Sequence, residues 1–295
     1  MKWTEQKRND LETKLRDHQF AHAIPYLLET TKFGIRCAKT GPTDYTNPGC
    51  SRVGGDPDLP PDWEWPMTAD GEAMTFLAQL NLQELVQHDS SSFLPKEGML
   101  SFFVGVDEPA YHIEHRVLVM TPEQLATAVN RHSPEETTME ETFNGFALSA
   151  RATLEPPNYA YIDYDQIETD AVGYEEFEEV YQDIRDEGKR DILQLFGYPT
   201  SQHDDEEYEA ALRLLTGQDY DYDKDSALNQ ITKKLGGDKD KAKQEIKDIV
   251  MLLEIDTDDD VGFCWWDAGV LHYFIRKEDL MAGRFDHTYC SLYSS

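Results

Sequence analysis

The segments FLAQLN at residues 76–81 and GMLSFFV at 98–104 recur in altered form as MLLEID at 251–256 and GVLHYFI at 269–275. In each copy, a run of five residues is apolar except at its fourth position. A connection then leads to the pattern G-x-L-x-aromatic-F-aliphatic. Short apolar runs of this kind are typical of buried strands. The chain is therefore predicted to contain the same pair of strands twice.

Each copy of this pair is extended in the same way on both sides. A further apolar stretch follows at 117–120 in the first copy and at 289–293 in the second. A Gly-x-Pro sequence, which is typical of a turn, precedes each copy. We therefore predict two related β-rich units, at about residues 50–120 and 195–295, that form one core.

Helices are predicted around these units, without a regular alternation of helix and strand. The expected elements are helices at 4–30, interrupted near Pro25, and at 174–196, and strands at 33–37 and 146–154. This pattern indicates an α+β fold with duplicated β-rich motifs in one core and peripheral helices. We interpret residues 1–32 as an N-terminal helical segment and residues 33–295 as a single domain.

The composition argues against several classes of partner. The 295 residues include 58 acidic and 27 basic side chains, which gives a formal net charge of -31. Nucleic acids and anionic membranes are polyanions, so neither is expected as a partner. No apolar run approaches the roughly 20 residues that span a bilayer, and the N-terminus lacks the apolar region of a signal peptide. Because the four cysteines form no C-x-x-C pair, a cytoplasmic location is expected.

Acidic residues are concentrated in one part of the chain. Residues 163–225 contain 21 acidic and 5 basic side chains, and they include the run DYDYDKD at 219–225. Blocks of like charge repel one another and prefer solvent. Residues 201–245 are therefore predicted to be an exposed, charged helical insertion outside the core. A basic protein would complement the acidic stretch and is the expected partner.

Several segments together resemble one known protein family. They are GGDPDLP at 54–60, WEWP at 63–66, MTFLAQLNLQEL at 74–85, LPKEGMLSFFV at 94–104, FGYP at 196–199, WDAG at 266–269 and FIRKEDL at 274–280. Their order and spacing are similar to those of the YwqG-like family, a bacterial domain of unknown function, over about residues 33–295. The resemblance implies an α+β fold with duplicated β-rich motifs, and it implies no particular reaction.

The chain departs from the pattern of this family at three places. Glu254 stands where a glutamine would mirror Gln79, and Trp265-Trp266-Asp267 replaces the more usual Trp-Gly-Asp. The third departure is the long charged insertion at 201–245.

Tryptophans in loops are the first group of candidate binding residues. The loops that enter or leave the two units contain Trp63, Trp65, Trp265 and Trp266. An indole ring in a loop can anchor a partner or stack on a ligand. It can equally pack against the end of a small β-core, so both interpretations stay open.

Polar residues in and after the repeated strands are the second group. Gln79 and Asn81 belong to the first copy, Glu254 belongs to the second, and Asp267 lies in the loop that follows. Inward-pointing polar side chains need hydrogen-bond partners. A ligand could supply these partners, and so could the backbone of the neighbouring Gly/Pro loop.

Motifs for metals, cofactors and catalysis are weak or missing in the sequence. Asp256, Asp258, Asp260 and Asp267 have part of the spacing of a calcium loop, but the required glycine is displaced to Gly262. A solvated acidic loop is the preferred interpretation, and no metal is expected. No G-x-S-x-G elbow, P-loop or G-x-G-x-x-G occurs, so neither a cofactor nor catalytic residues are predicted.

Two functional hypotheses follow from these observations. The first is a non-enzymatic, cytoplasmic protein-binding domain that engages a basic partner. The second is a small-ligand-binding protein or enzyme with its site between the two units. A pocket that contained Gln79, Glu254 and Asp267 together would favour the second hypothesis, and separate positions would favour the first.

Overall fold

The computed structural model describes residues 3–105, 113–139, 141–185 and 191–294, and its centre is one antiparallel sheet of ten strands. Two long strands, β1 (Lys32–Pro42) and β8 (Phe146–Glu155), pair in the middle. One flank contains β2 (Arg52–Val53), β4 (Thr75–Asn81), β5 (Met99–Val104) and β6 (His115–Met120). The other contains β9 (Asp191–Leu195), β10 (Ile249–Asp256), β11 (Val270–Arg276) and β12 (Thr288–Tyr293). The expected mixture of helices and strands is confirmed.

The order of strands across the sheet is β12-β11-β10-β9-β1-β8-β2-β4-β5-β6. We call β4, β5 and β6 the first meander, and β10, β11 and β12 the second meander. A separate small sheet pairs β3 (Asp58–Leu59) with β7 (Val129–Asn130). The strands that the sequence predicts at the two repeated segments are all present.

Both meanders have a register shift in their first strand pair. The shift lies between Phe76 and Ala78 in β4, and between Met251 and Leu253 in β10. Beyond the shift, Gln79 pairs with Ser101 in the first meander, and Glu254 pairs with His272 in the second.

The sheet curls until its two edge strands come close at one end. The Nε2 atom of His115 on β6 lies 3.0 Å from the hydroxyl of Thr288 on β12. The Tyr273 hydroxyl donates to the backbone carbonyl of Phe103 at 3.1 Å, and the rings of Phe102 and Tyr273 are 5.1 Å apart. The interior of this nearly closed sheet holds the main core, to which both meanders contribute.

Different segments cover the outer faces of the two meanders. Leu59, Trp63 and Trp65, which lie between β2 and β4, pack on Phe76 and Phe103 of the first meander. The second meander is covered by α7 (Glu206–Thr216), α8 (Lys224–Lys234) and α9 (Lys239–Lys247).

The segment 201–245 is helical as predicted, but the expectation that it lies outside the core is wrong. Ala210, Ala227, Ile231 and Ala242 are fully buried, and they belong to a cluster that includes Phe274 of the sheet. These side chains are small and widely spaced among charges, which hides the buried face in the sequence. The segment is therefore a layer of the fold with a charged outer surface.

The predicted N-terminal helix is interrupted, but earlier than expected: α1 (Glu5–Asp17) ends before Gln19, and Pro25 lies in the first turn of α2 (Ile24–Thr30). These helices pack with α5 (Tyr164–Ile167) and α6 (Tyr174–Arg185) in a separate apolar cluster. The helix predicted over 174–196 is wrong in its second half, because Ile192 and Leu195 lie in β9. Residues 186–190 fall outside the described part of the chain. β9 is buried on both sides, and its apolar residues Ile192, Leu193 and Leu195 have a spacing that also fits a helix.

The remaining helices are short: α3 (Leu82–Leu85), α4 (Pro122–Leu125) and α10 (Lys277–Met281). Thr121 forms a capping box with Gln124 at the start of α4. Among the described residues, no helix has both the length and the apolar character needed to cross a membrane.

Candidate functional site

Gln79 and Asn81 hold the loop that precedes β4. The Gln79 side chain is fully buried; its Oε1 accepts from the Asp58 backbone N–H, and its Nε2 donates to the Asp58 carboxylate, both at 2.7 Å. Asn81 caps α3 and donates to the Gly49 carbonyl at 2.7 Å. Of the two roles left open by the sequence, the contacts of these residues correspond to tethering of the Gly/Pro loop.

Glu254 occupies the matching position of the second meander. Its Oε2 accepts from the Thr200 backbone N–H at 2.7 Å and lies 2.9 Å from Nε2 of His272. Burial raises the pKa of Glu254, but the hydrogen bond and charge of His272 outweigh this and hold the pKa below its usual value. Burial also lowers the pKa of His272, and the Glu254 carboxylate more than reverses that effect. The two side chains therefore form a buried ion pair near neutral pH.

A cavity of about 730 Å³ lies beside this ion pair, between α7, the loop that follows α7, and the end of β12. Its lining includes three carboxylates and four tyrosine or tryptophan rings: Asp205, Glu206, Glu209, Tyr220, Tyr222, Trp266 and Tyr293. No lysine or arginine is among the described residues that line it. Residues 201–225 contain one arginine and one lysine: Arg213 is paired with Asp219, and Lys224 is paired with Asp204. We call this cavity the acidic pocket.

Two carboxyl groups of α7 have perturbed pKa values. Glu206 accepts a hydrogen bond from the Ser201 hydroxyl at 3.1 Å, and removal from bulk water raises its pKa to about 7. Burial also raises the pKa of Glu209, which accepts a hydrogen bond from the Tyr289 hydroxyl. Near pH 7, Glu206 therefore exchanges a proton readily, and a cation in the pocket would favour its ionised form.

Among the described residues, the Ser291 hydroxyl at the floor of the acidic pocket has no partner, and neither does one ring nitrogen of His272, which lies outside the lining. Ser291 lines the pocket and is 5% exposed, and its hydroxyl has no hydrogen-bond partner in the described part of the chain. Its cross-strand neighbour His272 is fully buried, and the Nδ1 atom of that ring is also unpartnered. Buried polar atoms usually have partners, so a bound group that donates or accepts hydrogen bonds would complete this floor.

The four tryptophans have different environments. Trp265 is fully buried, with its ring 5.2 Å from that of Phe263, and it packs in the main core. Trp63 and Trp65 are partly buried on the first meander, and Trp65 donates to the Met74 carbonyl at 2.8 Å. Trp266 is 45% exposed and lines the acidic pocket.

The polar candidates are not gathered at one place. Gln79 lies on β4 and Glu254 on β10, and the four strands β9, β1, β8 and β2 separate them in the sheet. Asp267 is exposed in the loop before β11 and does not line the acidic pocket. Of the residues that the sequence singled out, Trp266 alone belongs to this pocket.

The loop with partial calcium spacing binds a lysine side chain. The ammonium of Lys39 lies 2.5 Å from a carboxylate oxygen of Asp258 and 2.8 Å from one of Asp260. In the residues that the structure describes, no group of three or more His, Cys, Asp or Glu side chains is arranged to hold a metal ion.

Sequence reasoning missed most of the acidic pocket. Glu206 and Glu209 are three residues apart on α7, so they share one face of that helix, and this spacing was a usable signal. Tyr220 and Tyr222 alternate with aspartates in the run at 219–225, which was interpreted as solvated. The ring of Tyr220 is in fact buried.

Comparison with known protein families identifies the class of domain to which this fold and pocket belong. The family described as "Domain of unknown function (DUF1963)" matches residues 51–293. The match covers most of the chain, and the protein belongs to this family. A comparison with curated proteins found none that matches.

Proposed function

We propose that the protein is a non-enzymatic, cytoplasmic binding domain that captures a cationic side chain of a basic partner protein in the acidic pocket. The observation that carries the proposal is the lining of that pocket: three carboxylates and four tyrosine or tryptophan rings, with no lysine or arginine among the described lining residues. The formal net charge of -31 supports the same class of partner.

A lysine or arginine side chain can interact both with the carboxylates and with the aromatic rings of the acidic pocket. An ammonium or guanidinium over the face of a tryptophan or tyrosine gains roughly 0.5–2 kcal/mol, and more when it is removed from water. Glu206 and Glu209 supply the opposite charge, and the unpartnered Ser291 hydroxyl can accept a hydrogen bond from the cation. The surrounding acidic surface would raise the association rate through long-range attraction.

The second hypothesis, a ligand or enzyme site between the two units, receives less support. It requires Gln79, Glu254 and Asp267 to converge, whereas they lie on separate parts of the sheet and its loops. Gln79 has its hydrogen-bonding groups occupied by Asp58 and Cys50. A small cationic molecule in the acidic pocket is the form of this alternative that the pocket lining would permit.

We also propose that the two meanders are structural copies, as the YwqG-like resemblance implies. Their shared register shift supports this, as does the matching contact of Gln79 and Glu254 with the backbone N–H of the residue after a turn proline. A side chain added at Gly98 or Gly269 would collide with the last backbone carbonyl of the third strand in each meander.

The proposed function is tested by capture of partners with three versions of the protein. The wild type, the double variant Glu206→Gln with Glu209→Gln, and the control Glu175→Gln with Glu179→Gln are immobilised and exposed to native lysate. The control removes the same charge from exposed positions on α6. We expect one or more basic proteins to bind wild type and control and to be lost from the pocket variant.

Mass spectrometry identifies the retained proteins, and elution in rising salt measures their dependence on charge. Equal retention of basic proteins by all three versions would show that only the general acidity matters. Retention of none by the wild type would contradict the proposed function.

A further inference from the structure

The acidic pocket extends along the edge of the sheet. It is lined by four successive residues at the end of β12, namely Ser291, Leu292, Tyr293 and Ser294. Successive residues of a strand point to opposite faces, and here Ser291 is opposite His272 while Leu292 belongs to the interior core. A cavity lined by successive residues, whose side chains alternate between the two faces, also touches the backbone that joins them. The backbone of β12 therefore forms part of its wall.

The hydrogen-bonding direction of β12 follows from the ladder beside it. The Lys277 N–H donates to the Asp248 carbonyl at 2.8 Å, so the backbone groups of residues 271, 273 and 275 face β10. Those of 270, 272 and 274 consequently face β12 and bond to 293, 291 and 289. The N–H and C=O of Leu292 and Cys290 then point away from β11.

This edge has no partner in the described part of the chain. There, β12 pairs with β11 alone, and no backbone hydrogen bond of Leu292 or Cys290 outside that ladder is present. At the other end of β12, the two edges of the sheet come close, because His115 of β6 contacts Thr288. The free part of the edge is therefore the part that opens into the acidic pocket.

We propose that the basic partner docks as an added β-strand on the free edge of β12, with one cationic side chain of that strand inserted in the acidic pocket. The proposal rests on the proposed function and specifies how the partner binds. An extended segment at this edge places every second side chain on the outer face of the sheet, the face of Ser291 and His272. The carboxylates of α7 stand over that face, so charge selects a lysine or arginine there.

The occupant is an extended peptide segment because the edge offers backbone groups as well as charge. A free amine or a folded basic surface would use the carboxylates and rings but leave the Leu292 N–H and C=O unbonded. Strand addition satisfies both sets of groups at once. Exposed strand edges are favourable templates for such pairing.

The test uses a defined peptide of seven residues, with alternating threonine and valine around one central lysine and blocked ends. Three variants of this peptide are compared with it. In the first, glutamine replaces the lysine. In the second, an N-methyl group is added to a backbone nitrogen near the lysine whose N–H would face β12, and in the third to one whose N–H would face away from β12. Binding to the isotope-labelled full chain is followed by NMR, and amide hydrogen exchange is read at Leu292 and at Ser291.

We expect exchange of the Leu292 amide to slow on the order of tenfold at saturation, the effect of one added hydrogen bond, while Ser291 changes little. N-methylation on the edge-facing side should weaken binding by a similar factor, and methylation on the opposite side should not. Replacement of the lysine by glutamine, or of Glu206 and Glu209 by glutamine in the protein, should also weaken binding.

The possible failures are distinguishable. Lysine-dependent binding with unchanged exchange at Leu292 and equal tolerance of both N-methyl peptides would overturn strand addition and leave the proposed function standing. Binding that does not depend on the lysine or on Glu206 and Glu209 would overturn the proposed function, and a complete lack of binding at millimolar peptide would overturn both.

Discussion

The outer faces of the first and second meanders have similar backbones and different chemistry. In the first, the neutral side chain of Gln79 bonds to Asp58, and a loop with two tryptophans covers the surface. In the second, Glu254 makes the matching backbone contact and also pairs with His272, and three helices cover the surface. Position 79 needs no counter-ion because an amide both donates and accepts, whereas the carboxylate of Glu254 requires a cation.

This difference explains why the candidate site lies on one meander. The helices of the second meander bring Glu206 and Glu209 over two neighbouring strands, β11 with His272 and β12 with Ser291. The tryptophan loop of the first meander packs directly on Phe76 and Phe103. The helices that cover the second meander are joined by loops and do not fill the space at the end of β12. That space is the acidic pocket.

The largest expected effect concerns the buried ion pair beside the first meander, between β2 and β3. Arg52 and Asp58 form an ion pair in which both side chains are fully buried. Replacing Arg52 by alanine leaves an unpaired buried carboxylate, and it should lower the free energy of unfolding by about 3–5 kcal/mol. Urea denaturation measures the loss.

Arg116→Ala is the matched control, because Arg116 is exposed on β6 of the same meander. Its effect should stay within about 0.5 kcal/mol. Similar losses for the two variants would mean that water already reaches Asp58. They would contradict the difference between the first meander, on which the tryptophan loop packs directly, and the second, whose cover leaves the acidic pocket.

A reciprocal exchange tests the two matching positions directly. Gln79→Glu places a second carboxylate against Asp58, where the Gln79 amide now donates at 2.7 Å. This change should cost about 2–3 kcal/mol at pH 8 and less at pH 5, where the new side chain can be protonated. Glu254→Gln should cost about 1 kcal/mol near pH 6, because the amide can keep the contact with Thr200.

The pH dependence of Glu254→Gln has a defined sign. The raised pKa of His272 means that the ion pair contributes fully below the unfolded pKa of histidine, about 6.5, and is lost as pH rises through the folded pKa. The lowered pKa of Glu254 preserves the pair down to mildly acidic pH. The stability difference between wild type and variant should therefore shrink from pH 6 to pH 9. A stability difference that does not change between pH 6 and pH 9 would show that His272 is neutral throughout.

The last test asks whether the meanders are copies. Alanine at Gly98 or at Gly269 would meet a backbone carbonyl of the neighbouring strand, and each change should cost about 1–2 kcal/mol. The loss should be larger at Gly98, whose φ of +105° also disfavours alanine. Gly41→Ala is the control, since nothing lies near its added carbon. If Gly269→Ala matched this control in thermal denaturation, the two turns would not be equivalent.

The sequence predicted the strands better than the covering layer, for physical reasons. A strand in the middle of a buried sheet needs an apolar run whichever segment covers it, so residues 76–80 and 251–255 could be recognised as strands. The buried face of α7 to α9 depends on alanines such as Ala210 and Ala242, which also suit an exposed helix. The apolar run at β9 has no feature of its own that separates strand from helix.

The site was less predictable because its parts come from distant segments. Gln79 and Glu254 were found as polar interruptions of apolar runs, but their backbone partners depend on how a loop returns to the sheet. Trp266 was identified, whereas Glu206 faces it only because α7 packs across β12. The sequence alone does not show which acidic side chain the fold will remove from water.

The three helices over the second meander form one continuous stretch of chain between β9 and β10, and they share an apolar cluster with the outer face of the sheet. We expect such a stretch to open as a cooperative unit, which exposes this shared cluster while the hydrogen-bonded sheet stays intact. The acidic wall of the pocket belongs to this unit, and the strand edge belongs to the sheet. A partner that holds both would thus lock a hinged layer shut, and at a concentration one hundred times its dissociation constant it would add about 2.7 kcal/mol to the free energy of opening that layer.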